Sequence, residues 1–213
     1  MVQAQSQSPK VTTLIQSLES EFVQISEKRK TDLKLLGQII HEQMSKVDTA
    51  RVIFVCTHNS RRSQLSEIWL RLASEYYGVG SIKSYSGGTE STAFNHRMVD
   101  AVKRSGIELT ILVEGDNPRY SVSQKKTTTT SNELMFSKKY DHEYNPSKDF
   151  IAVMVCSQAD KDCPFVPGAS ERMALPYLDP KAYDDTPQES KAYDDKVREI
   201  GREILYMMSH LAT

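Results

Sequence analysis

Apolar residues recur along this chain in two rhythms. Over residues 8–46 they fall at helical spacing: Leu14, Leu18, Phe22 and Ile25 form one stripe, and Leu33, Leu36, Ile40 and Met44 form another. Ser8 fits an N-cap with Pro9 at the first helical position. The charged run Glu27-Lys28-Arg29-Lys30 separates the stripes, and Thr31 is placed to cap a second helix. The pattern predicts a helical hairpin or one long bent helix. It would pack on its own chain, serve as a dimerisation arm or dock a partner.

From Ala50 onward short apolar runs alternate with helical stretches. Strands are predicted at 51–55, 82–86 and 150–155, the last an unbroken apolar run and therefore central. Helices are predicted at 63–77, stopped by Gly78 and Gly80, and at 95–105, capped by Asn95 and stopped by Gly106. A capping box at Thr186-Pro187-Gln188-Glu189 opens a last helix through Val197, Ile200, Ile204 and Leu211. Such alternation predicts an α/β fold, an open parallel sheet with helices on both faces, whose ligands bind beyond the carboxyl ends of the strands. The chain thus divides into a helical N-terminal extension (1–48) and an α/β domain (49–213). Residues 115–148 interrupt the domain with a polar insertion carrying Thr127, Thr128, Thr129 and Thr130. It reads as solvated or as a lid, with 120–124 and 133–137 placed to pair as a hairpin.

Composition narrows the options. The 213 residues carry 27 Lys and Arg against 28 Asp and Glu, a net charge of −1, so no field of one sign points to nucleic acid or an anionic membrane. No apolar run spans a bilayer and the first residues are polar, so a cytoplasmic protein is expected. Three cysteines, Cys56, Cys156 and Cys163, are too few and too odd for a disulfide framework, and their spacing with the histidines suits no zinc site.

The chemistry concentrates after the first strand. Cys56-Thr57-His58-Asn59-Ser60-Arg61-Arg62-Ser63 is a cysteine, five residues, an arginine and a serine at the start of a helix. A strand, a short loop and a helix N-terminus aim backbone N–H groups at one point, and the fork of Arg62 grips two oxygens of a tetrahedral oxyanion. The same positive field favours a thiolate over a thiol, whose ordinary pKa is about 8.5, so Cys56 is the expected nucleophile, helped by a hydrogen bond from Ser63.

Cys156 ends the central strand, placing it as a neighbour of Cys56. Cys163 follows seven residues later, ahead of Pro164. On a helix those two lie about 10 Å apart along the axis, too far for a disulfide without unwinding. Asp179, before Pro180, offers a carboxylate in a turn that serves as general acid if it folds over the pocket. Asp184, Asp185, Asp194 and Asp195 read as solvated.

From about Arg51 to the C-terminus these residues resemble the low-molecular-weight protein tyrosine phosphatase superfamily, whose motif is Cys-x5-Arg-Ser after the first strand with a late Asp-Pro acid. Within it the chain is similar to thioredoxin-coupled arsenate reductases, which carry two further cysteines separated by six residues and followed by proline, as Cys156, Cys163 and Pro164 are here. The resemblance implies a four-stranded parallel sheet and a three-cysteine relay. Cys56 attacks arsenate held by the amides of residues 57–62, and Asp179 protonates the leaving oxygen. Cys156 then attacks Cys56, Cys163 attacks Cys156, and thioredoxin reduces the resulting disulfide. It further implies a potassium ion beneath the loop at Asn59, Glu67 and Ser86. The alternative is hydrolysis of phosphotyrosine or a small phosphate monoester through a phosphocysteine. A third reading is a non-enzymatic oxyanion sensor. His58 stands where the family usually has glycine, and Arg61 where a second loop cysteine is common.

Overall fold

The computed structural model describes residues 8–122, 134–163 and 165–211. Thr127 to Thr130 and Pro164 lie outside them. Four strands, β1 (Ala50–Cys56), β2 (Ile82–Gly88), β5 (Phe150–Met154) and β6 (Ala169–Ala174), form a parallel sheet in the order β2-β1-β5-β6. Strands β3 (Thr110–Val113) and β4 (Arg119–Ser121) pair separately and antiparallel. Helices α1 (Pro9–Glu19), α2 (Glu27–Lys46), α3 (Arg62–Tyr76), α4 (His96–Arg104), α5 (Ser157–Asp162) and α6 (Glu189–Leu211) flank the sheet. Among the described residues no helix is long and apolar enough to cross a membrane.

The two central strands carry the site. In β1 every residue but Arg51 is buried, and in β5 all five are, as a strand covered on both faces requires. Val55 pairs with Met154, and Val155 N–H donates to the Val55 carbonyl at 2.8 Å. The register therefore carries the carboxyl ends of both strands, with Cys56 and Cys156, to the same edge. β6 supplies the fourth strand that the resemblance implies, at a place the residue pattern did not predict. It is an edge strand, half to fully exposed, and its sequence Ala-Ser-Glu-Arg-Met-Ala carries no apolar pattern.

The N-terminal helices differ from the expectation in where they break. Ser26, not Thr31, caps α2: its Oγ accepts from the Arg29 amide at 3.3 Å, while the Thr31 hydroxyl donates back to the Glu27 carbonyl. The charged run 27–30 is thus the first turn of α2. Both stripes pack within this chain, Leu18, Ile25, Leu33, Leu36 and Ile40 buried and Leu14, Phe22 and Met44 partly so, with α1 and α2 lying against α6 in the same core as the sheet. The capping box at the start of α6 is also displaced. The Glu189 carboxylate accepts from the Asp185 amide at 2.7 Å and from Arg97 Nε at 2.7 Å. These partners hold it below the usual carboxylate range.

Helix α6 reaches α3 through a glycine. A Cβ on Gly201 would lie 2.4 Å from Cε2 of Trp69, which is fully buried. Alanine there gains roughly 1 kcal/mol of helix propensity. Driving a methyl into a rigid buried ring costs about 1–3 kcal/mol, and the clash is severe enough for the cost to prevail. Gly201→Ala is expected to lower the urea midpoint with an unchanged slope; an equal or higher midpoint would mean the ring yields freely.

Candidate active site

Between the end of β1 and the start of α3 the chain has five residues to reverse direction. Every carbonyl of that turn is engaged. Cys56 O accepts from Thr89 N at 3.2 Å, Thr57 O from Glu90 N at 2.8 Å and His58 O from Ser137 Oγ at 2.9 Å. Asn59 O accepts from Gln64 Nε2 at 2.7 Å, Ser60 O from Asn95 N at 2.8 Å and Arg61 O from Leu65 N at 3.0 Å. A planar trans peptide points its N–H opposite its carbonyl. With the carbonyls tied to surrounding elements, the amides turn to the other side. None of the amides of residues 57–63 has an acceptor among the described residues. They join the unpaired first turn of α3 in a cradle of donors, the arrangement an oxyanion requires. Asn59 permits the curvature with φ of +46°. Gly88 permits the backing: a Cβ there would lie 2.6 Å from Thr57 O and 2.8 Å from Asn59 N.

Cys56, buried, lies at the foot of this turn with its Sγ 3.0 Å from Ser63 Oγ. Asn59 Oδ1 accepts from the Lys138 amide at 2.9 Å, which fixes the amide's orientation, and Asn59 Nδ2 donates to Ser63 Oγ at 2.8 Å. Ser63 is thereby an acceptor from Asn59, and its own hydrogen is available to the sulfur. That arrangement aims a hydrogen-bond donor at the sulfur.

Arg62 spans the gap to the turn before the short 3-10 helix Pro180–Tyr183. Its Nη1 donates to the Tyr177 carbonyl at 2.8 Å and its Nη2 to Asp179 Oδ2 at 2.6 Å, while Nε is buried with no partner among the described residues. A buried donor left unpaired costs about 1–3 kcal/mol, which an incoming oxyanion removes. Asp179 Oδ1 accepts from the Lys181 amide at 3.0 Å, so the same carboxylate caps its own turn.

Arg61 and His58 take other directions. Arg61 Nε donates to the Tyr193 hydroxyl at 2.9 Å, Nη2 reaches Asp184 at 3.4 Å, and the Tyr193 hydroxyl donates to Asp184 at 2.7 Å. Burial and the Asp184 carboxylate push the Tyr193 hydroxyl up to about 12, against the pull of Arg61. Its amide belongs to the cradle; its side chain ties the loop to the segment after Asp179. Asp184, expected in solvent, is largely covered by this network, and Arg97 holds Asp185 at 2.6 Å. His58 is half-exposed on the rim, 3.5 Å from Glu90.

All three cysteines are free thiols. Cys156 is buried and caps α5, its Sγ accepting from the Ala159 amide at 3.3 Å and lying 3.5 Å from Thr57 Oγ1, the residue next to Cys56. Cys163 is half-buried at the opposite end of α5, its carbonyl accepting from Arg172 Nε at 3.0 Å.

The three residues that the resemblance links to potassium sit beneath the loop. Glu67 Oε2 and Ser86 Oγ are buried without partners among the described residues. The remaining donors do not fit an ion: Asn59 Oδ1 is taken by the Lys138 amide, and Glu67 Oε1 by Arg71 at 3.2 Å. The buried Lys138 side chain enters the same region. Burial pushes its ammonium down and the charge of Glu67 opposes that.

Several contributors carried no signal in the sequence. The insertion read as solvated or as a lid; in its described part 134–145, Ser137, Lys138 and Asn145 are buried. Ser137 holds His58, Lys138 holds Asn59, and Asn145 Nδ2 donates to the Ser86 carbonyl at 3.0 Å. The two arms of the expected hairpin do meet, Tyr120 and Met135 exchanging both backbone hydrogen bonds at 2.8 Å.

Fold and loop together bring a buried thiol, an arginine and a row of amides without acceptors among the described residues to one edge of a parallel α/β sheet, a candidate oxyanion site. A family model described as low molecular weight phosphotyrosine protein phosphatase matches residues 51–125, the stretch that holds the loop. The arsenate reductase of Halalkalibacterium halodurans is 30% identical over 154 residues, 72% of this chain and 91% of that one. The arsenate reductase of Bacillus subtilis shows the same identity and coverage. The crystal structure of a low molecular weight phosphotyrosine phosphatase from Vibrio cholerae O395 superposes with a TM-score of 0.50 at 15% identity, over 76% of this chain and 95% of that one, a likeness of fold. The chain belongs to this family of low molecular weight phosphatases and arsenate reductases.

Proposed function

We propose that this protein reduces arsenate to arsenite by a three-thiol relay. The observation that carries the reading is the second thiol: Cys156 ends the strand beside β1 and touches Thr57, one residue from Cys56. Arsenate occupies the amide cradle and pairs with Arg62. The Cys56 thiolate forms a bond to arsenic as Asp179 gives a proton to the departing oxygen, which leaves as water. The Cys156 thiolate then attacks Cys56 Sγ. The S–As electron pair passes to arsenic, taking it from As(V) to As(III), and arsenite leaves behind a Cys56–Cys156 disulfide. Cys163 attacks Cys156 Sγ, freeing Cys56. Since Cys156 and Cys163 stand at opposite ends of α5, that disulfide requires α5 to unwind. A protein dithiol such as thioredoxin restores both thiols by exchange.

The match to a phosphotyrosine phosphatase model favours a second reading. There Cys56 forms a phosphocysteine, Asp179 acts first as acid and then as base, and the other thiols take no part. In neither reading does an ion beneath the loop carry a step. A homodimer through the N-terminal helices is left with Val23 and Leu35 as exposed apolar side chains on those segments and is not needed by either.

The readings part at Cys156 and Cys163. Arsenate-dependent oxidation of reduced thioredoxin is expected to stop in Cys156→Ser and in Cys163→Ser after at most one turnover, with inorganic phosphate binding intact. Arsenate turnover that survives both changes rejects the relay. Hydrolysis of an aryl phosphate at a rate indifferent to both, with no arsenate turnover, establishes the phosphatase.

A further inference from the structure

The N-terminal helices carry no nucleophile or acid of the relay, yet one of their side chains lies directly behind the oxyanion site. Ser26 caps α2 and so fixes the position of Arg29 in its first turn. The Arg29 guanidinium is largely buried. Its Nε donates to Glu203 Oε2 of α6 at 2.8 Å, and its Cζ lies over the Tyr177 ring at 4.6 Å from the centroid. Tyr177 is the residue whose carbonyl holds Arg62 Nη1, and it stands two residues before Asp179. Its amide donates to the Val155 carbonyl at 3.1 Å, beside Cys156.

We propose that Arg29 is a positioning residue for the oxyanion site: it clamps Tyr177, and Tyr177 in turn sets the direction of the Arg62 fork. The inference rests on the oxyanion reading of the loop given above. The chain of contacts has three links, Arg29 to the Tyr177 ring, the Tyr177 carbonyl to Arg62, and Arg62 to the guest. The first two are direct contacts, 4.6 Å to the ring centroid and 2.8 Å to the carbonyl, so a shift at the first passes to Arg62 and through it to the guest. An arginine suits the first link because its planar face stacks on the ring while its edge keeps the ion pair with Glu203. Burial pushes the Glu203 carboxyl up and the Tyr177 hydroxyl well up, and Arg29 opposes both.

The test separates the clamp from mere stability. Arg29→Met with Glu203→Met removes both charges at similar volume, a change a buried ion pair commonly tolerates. Arg29→Lys keeps the charge pair and removes the flat face. Inorganic phosphate binding is measured by calorimetry in the full chain, alongside the urea midpoint. The double variant is expected to stay folded and to bind phosphate about tenfold more weakly. Arg29→Lys is expected to keep the midpoint without the affinity. Wild-type affinity in the folded double variant, or in Arg29→Lys, overturns the inference. Should the double variant not fold, Arg29→Lys decides alone: folded and weakened supports the clamp, folded and unaltered rejects it. Failure of the wild-type chain itself to bind phosphate would instead overturn the reading of the loop, and this inference with it.

Discussion

Cys56→Ser is expected to lose about 10⁴-fold or more of turnover on arsenate or on an aryl phosphate, while still binding inorganic phosphate. The reason is a division of labour within the loop. Binding rests on the amides of residues 57–63 and on Arg62, none of which the substitution touches. Bond formation rests on the sulfur, 3.0 Å from Ser63 Oγ. An alkoxide is far harder to form at neutral pH than a thiolate, and oxygen cannot take part in a disulfide, so the relay ends before its second step. Calorimetric titration with phosphate, run beside steady-state assays, checks both halves. Turnover in the serine variant within a factor of about ten of wild type would place the nucleophile elsewhere.

Asp179→Asn is expected to lower turnover by about 10²–10⁴-fold and to tighten phosphate binding. Asparagine keeps an oxygen for the Lys181 amide, which Asp179 Oδ1 now accepts at 3.0 Å, and asparagine caps as well as aspartate. The local turn therefore survives. What disappears is the proton for the leaving oxygen and the carboxylate that holds Arg62 Nη2 at 2.6 Å. That carboxylate competes with the guest for the guanidinium and repels it by charge. Its removal frees the fork for the oxyanion. The two effects run in opposite directions, so a variant that was simply misfolded would show neither the gain nor the split. Weaker phosphate binding in Asp179→Asn would mean that the carboxylate orients Arg62 rather than competing for it.

Much of the fold was legible in residue order because its signals are local. An unbroken apolar run announces a strand covered on both faces, and 51–55 and 150–155 read that way; the sheet bears this out at β1 and β5. Ser8 before Pro9 and Asn95 before His96 announce helix starts through one side-chain oxygen each, and both cap as expected. The edge strand β6 left no trace, since half its side chains face solvent and its ladder is made on one side only. Thr31 was the cap expected for α2, and Ser26 holds that place. Only the observed hydrogen bond to the Arg29 amide separates them.

The candidate site divides along the same line. Cys56, Asn59, Arg62 and Ser63 occupy one strand–loop–helix unit, where spacing alone sets their relation. Arg61 sits in that unit too, but its long side chain was free to point anywhere. Tyr193 and Asp184, distant in sequence, settled its direction. The contacts of Ser137 and Lys138 with the loop, and of Arg29 with Tyr177, join residues about which residue order says nothing.

By itself the amino-acid sequence determined β1, β2, β5, α3, α4, α6 and the cysteine–arginine loop, because each depends on neighbours within a dozen residues. The tertiary structure alone decided that the second thiol, already expected near the first, lies 3.5 Å from Thr57 Oγ1, that Asp179 reaches Arg62, and that Arg29 of an N-terminal helix lies over the Tyr177 ring. Those relations arise from strand register and side-chain packing between elements far apart in the chain. They exist only once the core has closed.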